Sequence, residues 1–158
     1  MTQMFPSIML LVPFYKILSV YGLNNSLVGL CIVYVSFTIP FCSWMMVGYF
    51  RTIPTEIDES AAIDGASYLQ TFWKIALPLV KPGLVSSAIY AFITCWNEYM
   101  FAAILLVNDK LKTAAVAIAE MNGYYKIAWN DMMAASLVAS VPLIIAFVFM
   151  QKSFISGL

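Results

Sequence analysis

Residues 27–50 read LVGLCIVYVSFTIPFCSWMMVGYF, and this uncharged stretch decides the fold. The hydrocarbon core of a bilayer is about 30 Å thick and needs roughly 20 predominantly apolar residues to cross it as a helix. At about 1.5 Å per residue, residues 27–50 would extend roughly 36 Å. The stretch therefore predicts a transmembrane helix that crosses the bilayer with some tilt.

Three further apolar runs are candidates for membrane spans. The first is the shortest and contains prolines and a lysine, so we expect it to be irregular, tilted or only partly inserted. The other two have full length, although one includes Asn97 and Glu98 and the other includes Pro142, a predicted kink. The three runs cover residues 4–20, 84–107 and 132–150. The sequence thus predicts an all-α, polytopic transmembrane helical bundle with four spans.

The composition of the chain argues against several classes of function. The 158 residues are 63% hydrophobic and 10% charged, whereas roughly 25% are charged in a soluble domain. The formal net charge is zero, which provides no basic face, so we expect no nucleic-acid partner. There is no histidine, and Cys31, Cys42 and Cys95 lie in apolar runs. We expect the cysteines to be small buried hydrophobes and expect no metal site.

The longest polar segment between the spans, residues 51–83, reads RTIPTEIDESAAIDGASYLQTFWKIALPLVKPG and predicts two short helices. Thr55 with Asp58 three residues later has the pattern of a capping box, so the first helix is expected to begin there. Gly65 can adopt a positive φ without steric penalty. We therefore expect Gly65 to end the first helix and to let the chain reverse direction.

The second helix of this loop has its own start and stop signals. Ser67 with Gln70 repeats the capping pattern, and Pro78 and Pro82 are expected to end the helix. Four apolar residues at i, i+3, i+4 and i+7 share one face, namely Leu69, Phe72, Trp73 and Ala76. This stripe could pack on the chain's own spans or fill a groove on a soluble partner, and composition does not choose between them.

The same loop resembles the EAA signature of permeases in bacterial binding-protein-dependent ABC importers. The matching residues are Glu59-Ser60-Ala61, Gly65 after three further residues, and Ile75-Ala76-Leu77-Pro78 after nine more. Ser60 is one departure, because the family usually has alanine at that position. A small residue there still fits a tight helix contact.

The resemblance covers essentially the whole chain and is closest to the carbohydrate-uptake branch, the maltose-type or multiple-sugar permeases. Further matching runs are Gln3-Met4-Phe5-Pro6, Ile39-Pro40-Phe41 with Trp44, Tyr49-Phe50 before Ile53-Pro54, Ile63-Asp64-Gly65-Ala66-Ser67 and Trp96-Asn97-Glu98-Tyr99. The resemblance implies a permease subunit of an ATP-driven importer that forms part of the path for a sugar or oligosaccharide.

In that family the EAA loop is cytoplasmic and sits in a cleft of the ATP-binding subunit, whose closure it transmits. Basic residues number four on one predicted side and three on the other, so charge alone leaves the orientation open. The resemblance implies that residues 51–83 and the C terminus are cytoplasmic and that residues 21–26 and 108–131 face outside. The docking residues it implies are Glu59, Ser60, Ala61, Asp64, Gly65, Leu69, Phe72, Trp73, Ile75, Leu77 and Pro78.

The resemblance also implies the setting and the partners of the chain. We expect a multi-pass subunit of the bacterial cytoplasmic membrane, which is not an enzyme and binds no cofactor itself. ATP and Mg would be held by two ATP-binding subunits. The other expected partners are a second permease subunit in a heterodimer, an extracytoplasmic solute-binding protein and the lipid bilayer.

Asn97 and Glu98 are polar residues inside a predicted span, where an ionisable group costs a few kcal/mol. The functional interpretation makes Glu98 a lining residue of the translocation path, beside Trp96 and Tyr99, whose ring faces suit the apolar faces of sugars. The alternative is a structural hydrogen bond between helices, or a position near the outer interface. The substrate-path candidates are Trp96, Asn97, Glu98 and Tyr99.

Two other functions stay open. The same importer fold could carry another small solute, such as a glycerol phosphate or an amino acid. A small polytopic membrane enzyme is less favoured, because its candidate acids and bases also fit helix-cap and first-turn roles and no nucleophile lies near them. These candidates are Glu56, Asp58, Glu59 and Asp64.

Permeases of this family usually have six spans, with two of them before the region matched here. The resemblance therefore implies that residues 1–158 are part of a single permease domain, beginning inside the third family span. We expect that this chain alone does not transport.

Overall fold

A computed structural model describes residues 6–123 and 128–155, with side chains described for 6–123 and 128–149. The run Gln3-Met4-Phe5 and the predicted start of the first span lie outside the described residues. The helices described are α1 (Ser7–Val20), α2 (Leu27–Phe50), α3 (Thr55–Ile63), α4 (Tyr68–Thr71), α5 (Leu77–Leu79), α6 (Lys81–Trp96), α7 (Met100–Leu105), α8 (Ala114–Glu120) and α9 (Trp129–Ile155). The predicted all-α fold is confirmed.

Among the residues that the structure describes, two helices are long and apolar enough to cross a membrane as single elements. They are α2 and the part of α9 from Trp129 to Phe149. α2 begins at a true N-cap, because Ser26 Oγ accepts a hydrogen bond from the N–H of Gly29 at 3.0 Å. Its apolar residues lie on all sides, which is the pattern of a helix surrounded by lipid and other helices.

α1 is shorter than the other predicted spans. Its 14 residues extend about 21 Å at 1.5 Å per residue, which is less than the bilayer core. Pro13 lies inside the helix. The described part of this first run is therefore shorter than a bilayer-spanning helix.

The third predicted span, residues 84–107, is not one helix. α6 ends at Trp96, and α7 begins only at Met100. Between the two helices, polar side chains form hydrogen bonds with backbone groups. Asn97 Nδ2 donates to the carbonyl of Ile93 at 2.9 Å, and the Glu98 carboxylate accepts from backbone N–H groups of α7. The expected continuous span is wrong at this point.

A buried cluster joins α1, α2, α7 and α8. Three phenylalanines from α1, α2 and α7 meet in it, with ring centroids 5.7 Å apart for Phe14 and Phe37, 6.0 Å for Phe14 and Phe101, and 4.9 Å for Phe37 and Phe101. The fully buried members are Leu18, Leu30, Val33, Phe101, Ala102, Leu105, Leu106 and Val116. The second half of the broken third span, α7, thus lies in the best-packed part of the described chain.

The cysteines do not share one environment. Cys31 is exposed on α2, and Cys42 and Cys95 are half-buried. The expectation of three buried cysteines is wrong for Cys31, because the face of α2 that carries it does not pack against other described helices. In a bilayer such a face is covered by lipid or by another subunit.

Candidate functional site

The first helix of the 51–83 loop starts one residue earlier than the capping pattern indicated. Pro54 stands at the N-cap position of α3, and Thr55 is already its first helical residue, without a side-chain cap. The expected capping box of Thr55 and Asp58 is therefore wrong. Asp58 and Glu56 lie in the first turn, where a helix dipole favours negative charge.

Ser60, where the family usually has alanine, has its hydroxyl group hydrogen-bonded within α3 itself. Ser60 Oγ lies 2.8 Å from the carbonyl oxygen of Glu56 and 3.0 Å from that of Ile57, so the hydroxyl donates back to its own helix. A serine bonded in this way needs no partner elsewhere. Ala61, predicted for the docking surface, is only 5% exposed and packs inside the loop.

Gly65 forms the turn between the two loop helices. Its φ is +77°, in the left-handed region that glycine adopts without penalty. The N–H of Ala66 donates to the carbonyl of Ala61 at 3.0 Å, and the N–H of Gly65 donates to that of Ala62 at 3.1 Å. These are the two hydrogen bonds of a Schellman motif. The predicted helix end at Gly65 is confirmed.

The second helix begins with the predicted capping box. The N–H of Gln70 donates to Ser67 Oγ at 3.4 Å, and the N–H of Ser67 donates to Gln70 Oε1 at 2.9 Å. α4 therefore starts in a fixed direction immediately after the Gly65 turn.

The second helix does not stop at Pro78 itself but ends one residue later, at Leu79, between the two prolines expected to end it. A π-helical turn, Phe72–Ala76, follows α4, and the N–H of Leu77 donates to the carbonyl of Phe72 five residues earlier. Proline lacks an N–H and crowds the carbonyl four residues before it, and the wider π turn provides room there. The helix continues to Leu79, and Pro82 lies in the first turn of α6 instead of ending the preceding helix.

The loop joins the third span through a bend. The helical stretch Tyr68–Leu79 and α6 meet at 69°, with the break at Val80. Val80 is 1% exposed, so the corner is buried. A displacement of the loop therefore reaches α6 through a packed joint.

The apolar stripe of the second loop helix is divided between two surroundings. Phe72 is half-buried and stacks on Phe50 at the end of α2, with ring centroids 6.1 Å apart and planes 18° apart. Leu69 and Trp73, in contrast, are 67% and 63% exposed. Packing on the chain's own spans is thus confirmed for Phe72, while Leu69 and Trp73 are left uncovered.

Five large apolar side chains of the loop are exposed, and we call the four that precede Leu79 the docking face. It consists of Ile63, Tyr68, Leu69 and Trp73. Beside it lies a cleft of about 390 Å³ between the end of α2, α3 and α4. Residues lining this cleft are Phe50, Ile53, Asp58, Tyr68, Thr71, Phe72 and Ala76.

The remaining docking candidates lie around this face. Glu59, Ser60, Asp64 and Pro78 are exposed. Ile75 and Leu77 are half-buried within the helical stretch that leads to α6. Most of the predicted docking residues are thus exposed, whereas Ala61 is buried and Phe72, Ile75 and Leu77 are half-buried.

The four substrate-path candidates do not form one group. Trp96 Nε1 donates to the carbonyl of Ala139 in α9 at 3.1 Å, and Trp96 and Asn97 line a cleft of about 230 Å³ between α6, α8 and α9. Ser136 and Ser140 of α9 line the same cleft, one helical turn apart. Sequence reasoning missed these serines, which lie in a run that reads only as apolar.

Glu98 points the other way. Its Oε1 accepts from the N–H of Phe101 at 2.9 Å, and its Oε2 accepts from the N–H of Ala102 at 3.1 Å and from Tyr34 Oη at 3.0 Å. These contacts correspond to the interhelical hydrogen bond that was the alternative interpretation. Tyr99 is half exposed beside it.

The segment after α7 carries a small ionic cluster. Lys112 Nζ lies 2.6 Å from Asp109 and 2.7 Å from Glu120. The hydrogen bond from Lys112 lowers the pKa of the Asp109 carboxyl, and the hydrogen bonds to Asp109 and Glu120 raise the pKa of Lys112. The cluster ties the start of this segment to the end of α8.

Comparison with known proteins accounts for this architecture. The family described as binding-protein-dependent transport system inner membrane component matches residues 1–158. The chain belongs to this family. Its members are inner-membrane components of transport systems, which agrees with an all-α, multi-pass fold.

Relatives of this family member include sugar permeases. The trehalose/maltose transport system permease protein MalG of Thermococcus litoralis is 38% identical over 157 residues, covering 99% of this chain and 56% of that protein. The maltodextrin transport system permease protein MdxG of Bacillus subtilis is 37% identical, covering 99% and 56%. The chain thus spans little more than half the length of these relatives.

A solved structure shares the fold. It is the crystal structure of a bacterial ABC transporter involved in the import of the acidic polysaccharide alginate. The TM-score is 0.73 and the identity 26%, over 90% of this chain and 55% of that one. The broken third span and the two-helix loop therefore belong to a fold that occurs in ABC importers.

Proposed function

We propose that this family member forms part of the transmembrane permease subunit of an ATP-driven importer, and that residues 51–83 are its coupling loop. The observation that carries the proposal is the docking face, four exposed apolar side chains on two short helices whose relative direction is fixed by a Schellman motif and a capping box. Exposed apolar patches of this kind mark contact surfaces for other proteins.

The partner that fits this face is a soluble ATP-binding subunit with an apolar groove. That subunit would bind ATP and Mg. Two such subunits would associate with a heterodimer of this permease and a second permease subunit. Exposed acidic residues on α3, Glu56, Asp58 and Glu59, suit a basic rim around the groove. The proposed setting is the bacterial plasma membrane, with an extracytoplasmic binding protein delivering the solute.

A substitution on the docking face tests the proposal. Trp73→Ser removes a 63% exposed aromatic anchor, and loss of such an anchor commonly costs about 2 kcal/mol or more of binding. We expect co-purification with the ATP-binding subunits to weaken about 30-fold, while the permease keeps its thermal stability. Trp129→Ser is the matched control, because Trp129 is 56% exposed at the start of α9, away from the loop. Equal association of both variants with the ATP-binding subunits would contradict the proposal.

We further propose that the cargo is a sugar or an oligosaccharide, and that Trp96 and Asn97 contribute to its path. The relatives transport trehalose, maltose or maltodextrin by their names, and the cleft at Trp96 combines an aromatic ring with amide and hydroxyl groups. Aromatic walls with a few placed polar groups are typical of small-molecule sites. Glycerol phosphates and amino acids are the competing cargos.

Uptake kinetics of an Asn97→Ala variant test the path. Within the described residues the Asn97 side chain makes one hydrogen bond, to the carbonyl of Ile93, which also accepts the backbone N–H of Asn97, so loss of the side chain should disturb the fold little. We expect the apparent KM for the sugar to rise about ten-fold, which corresponds to roughly 1.4 kcal/mol of lost binding. Ser43→Ala on α2, an exposed polar residue outside the cleft, serves as control. An unchanged KM for Asn97→Ala would remove this residue from the path.

A further inference from the structure

Glu98 lies in the break of the third span, and its carboxylate is surrounded by donors. The N–H groups of Phe101 and Ala102 and the hydroxyl of Tyr34 all donate to it, at 2.9 to 3.1 Å. The first two are first-turn amides of α7, which a helix cannot satisfy internally. The third comes from α2, 64 residues away in sequence. Glu98 therefore caps one helix and holds it to another.

The far end of α7 is fastened to the same neighbour. Asn25, in the turn before α2, has a φ of 54°, a left-handed conformation that asparagine tolerates better than most residues. Its N–H donates to the carbonyl of Leu105 at 2.9 Å, and its Oδ1 accepts from the N–H groups of Val107 and Asn108 at 3.0 and 2.9 Å. Both ends of α7 are thus tied to α2 and the turn that precedes it.

The side chains of α7 lie between these two ties, in the buried cluster. Phe101, Ala102 and Leu105 are each at most 3% exposed. α6, on the other side of the break, also packs on α2, since Gly83 lies against Tyr49, and it is joined to α9 by the hydrogen bond from Trp96 to Ala139. Both halves of the third span therefore contact α2, and α7 is the half whose two ends are fastened there by hydrogen bonds.

We propose that Glu98 is a positioning residue that fixes the start of α7 to α2, so that α7 keeps its place on α2 during the transport cycle. A charged or polar group in a span is tolerated when it is paired inside the protein. Here the pairing also holds α7 against α2. Movement received by the bundle from the 51–83 loop would therefore leave the contact between α7 and α2 intact.

Amide hydrogen exchange in nanodiscs tests the cap, using the permease that contains this chain. Glu98→Ala removes all three acceptor contacts, so the Phe101 and Ala102 amides should exchange at least about ten-fold faster. Tyr34→Phe removes only the bond to α2 and should leave these two amides protected. Glu98→Gln keeps one acceptor oxygen and should fall between wild type and Glu98→Ala. Unchanged exchange in Glu98→Ala would overturn the proposal.

Spin-label distances between α2 and α7 test the tie. Val28 and Ile104 are exposed positions on the two helices and accept labels. The distance should be narrow and independent of nucleotide in wild type and in the control Tyr21→Phe, and broader in both Tyr34→Phe and Glu98→Ala. A rise in sugar KM for Glu98→Gln, with exchange and distances unchanged, would instead make Glu98 part of the path. The hydrogen-exchange and distance measurements do not depend on the cargo or on the docking proposal. The proposal for Glu98 can therefore fail while the proposals for the cargo and the docking face stand.

Discussion

Replacing Gly65 with proline is expected to abolish nucleotide-driven transport while the membrane spans stay folded. Proline fixes φ near −65° and has no N–H, whereas Gly65 has a φ of +77° and donates to Ala62. The Schellman motif cannot form, and incompatible backbone of this kind costs of order 1–3 kcal/mol. The two loop helices then lose their relative direction. We expect ATPase activity stimulated by the binding protein to fall at least about ten-fold, because the docking face no longer matches its partner.

Gly22 provides a matched control for this experiment. It has a φ of +65°, its N–H donates to Ser19 at 3.1 Å, and an added Cβ would meet nothing within 4 Å, as at Gly65. Gly22→Pro should therefore introduce comparable strain in the turn between α1 and α2, without affecting the loop. Gly65→Asn should keep most activity, since asparagine tolerates the left-handed region. Equal loss of stimulated ATPase activity in both proline variants would show that strain alone, not the coupling loop, is responsible.

The features that could be predicted from the sequence are those whose causes are local. A capping box at Ser67 and a left-handed glycine at Gly65 depend on residues within a few positions of each other, and both predictions are confirmed. The uncharged run of α2 needs only its length and hydrophobicity. The all-α membrane fold follows from the same two properties.

Predictions failed, or missed a boundary by one residue, where a distant contact or a backbone alternative decides the outcome. Pro78 has the appearance of a stop, but the π turn before it lets the helix continue to Leu79. Thr55 fits the capping pattern, yet Pro54 occupies the cap position. Two roles stayed open for Glu98 because its partner Tyr34 lies 64 residues away, and no local pattern identifies that pairing.

Adding a side chain at Gly83 is expected to separate α6 from α2 and to destabilise the bundle. Gly83 is buried in the first turn of α6, and a Cβ there would overlap three ring atoms of Tyr49. A rigid aromatic ring on a packed helix cannot yield as a flexible side chain would. Overpacking of this kind costs about 1–3 kcal/mol, offset in part by the 0.5–1 kcal/mol that alanine gains over glycine in a helix.

Gly83→Val should therefore lower the free energy of unfolding in detergent titrations by at least about 2 kcal/mol, because it adds branching to the overlap. Gly48→Ala, one residue from Tyr49 on α2, is the control, since its Cβ would meet nothing within 4 Å. Tyr49→Leu in the Gly83→Ala background should recover part of the lost stability, because the shorter side chain leaves room for the new methyl group. If the double variant does not recover stability, overlap with Tyr49 is not the cause of the destabilisation. The close contact between Gly83 and Tyr49 would then not explain how α6 is held against α2.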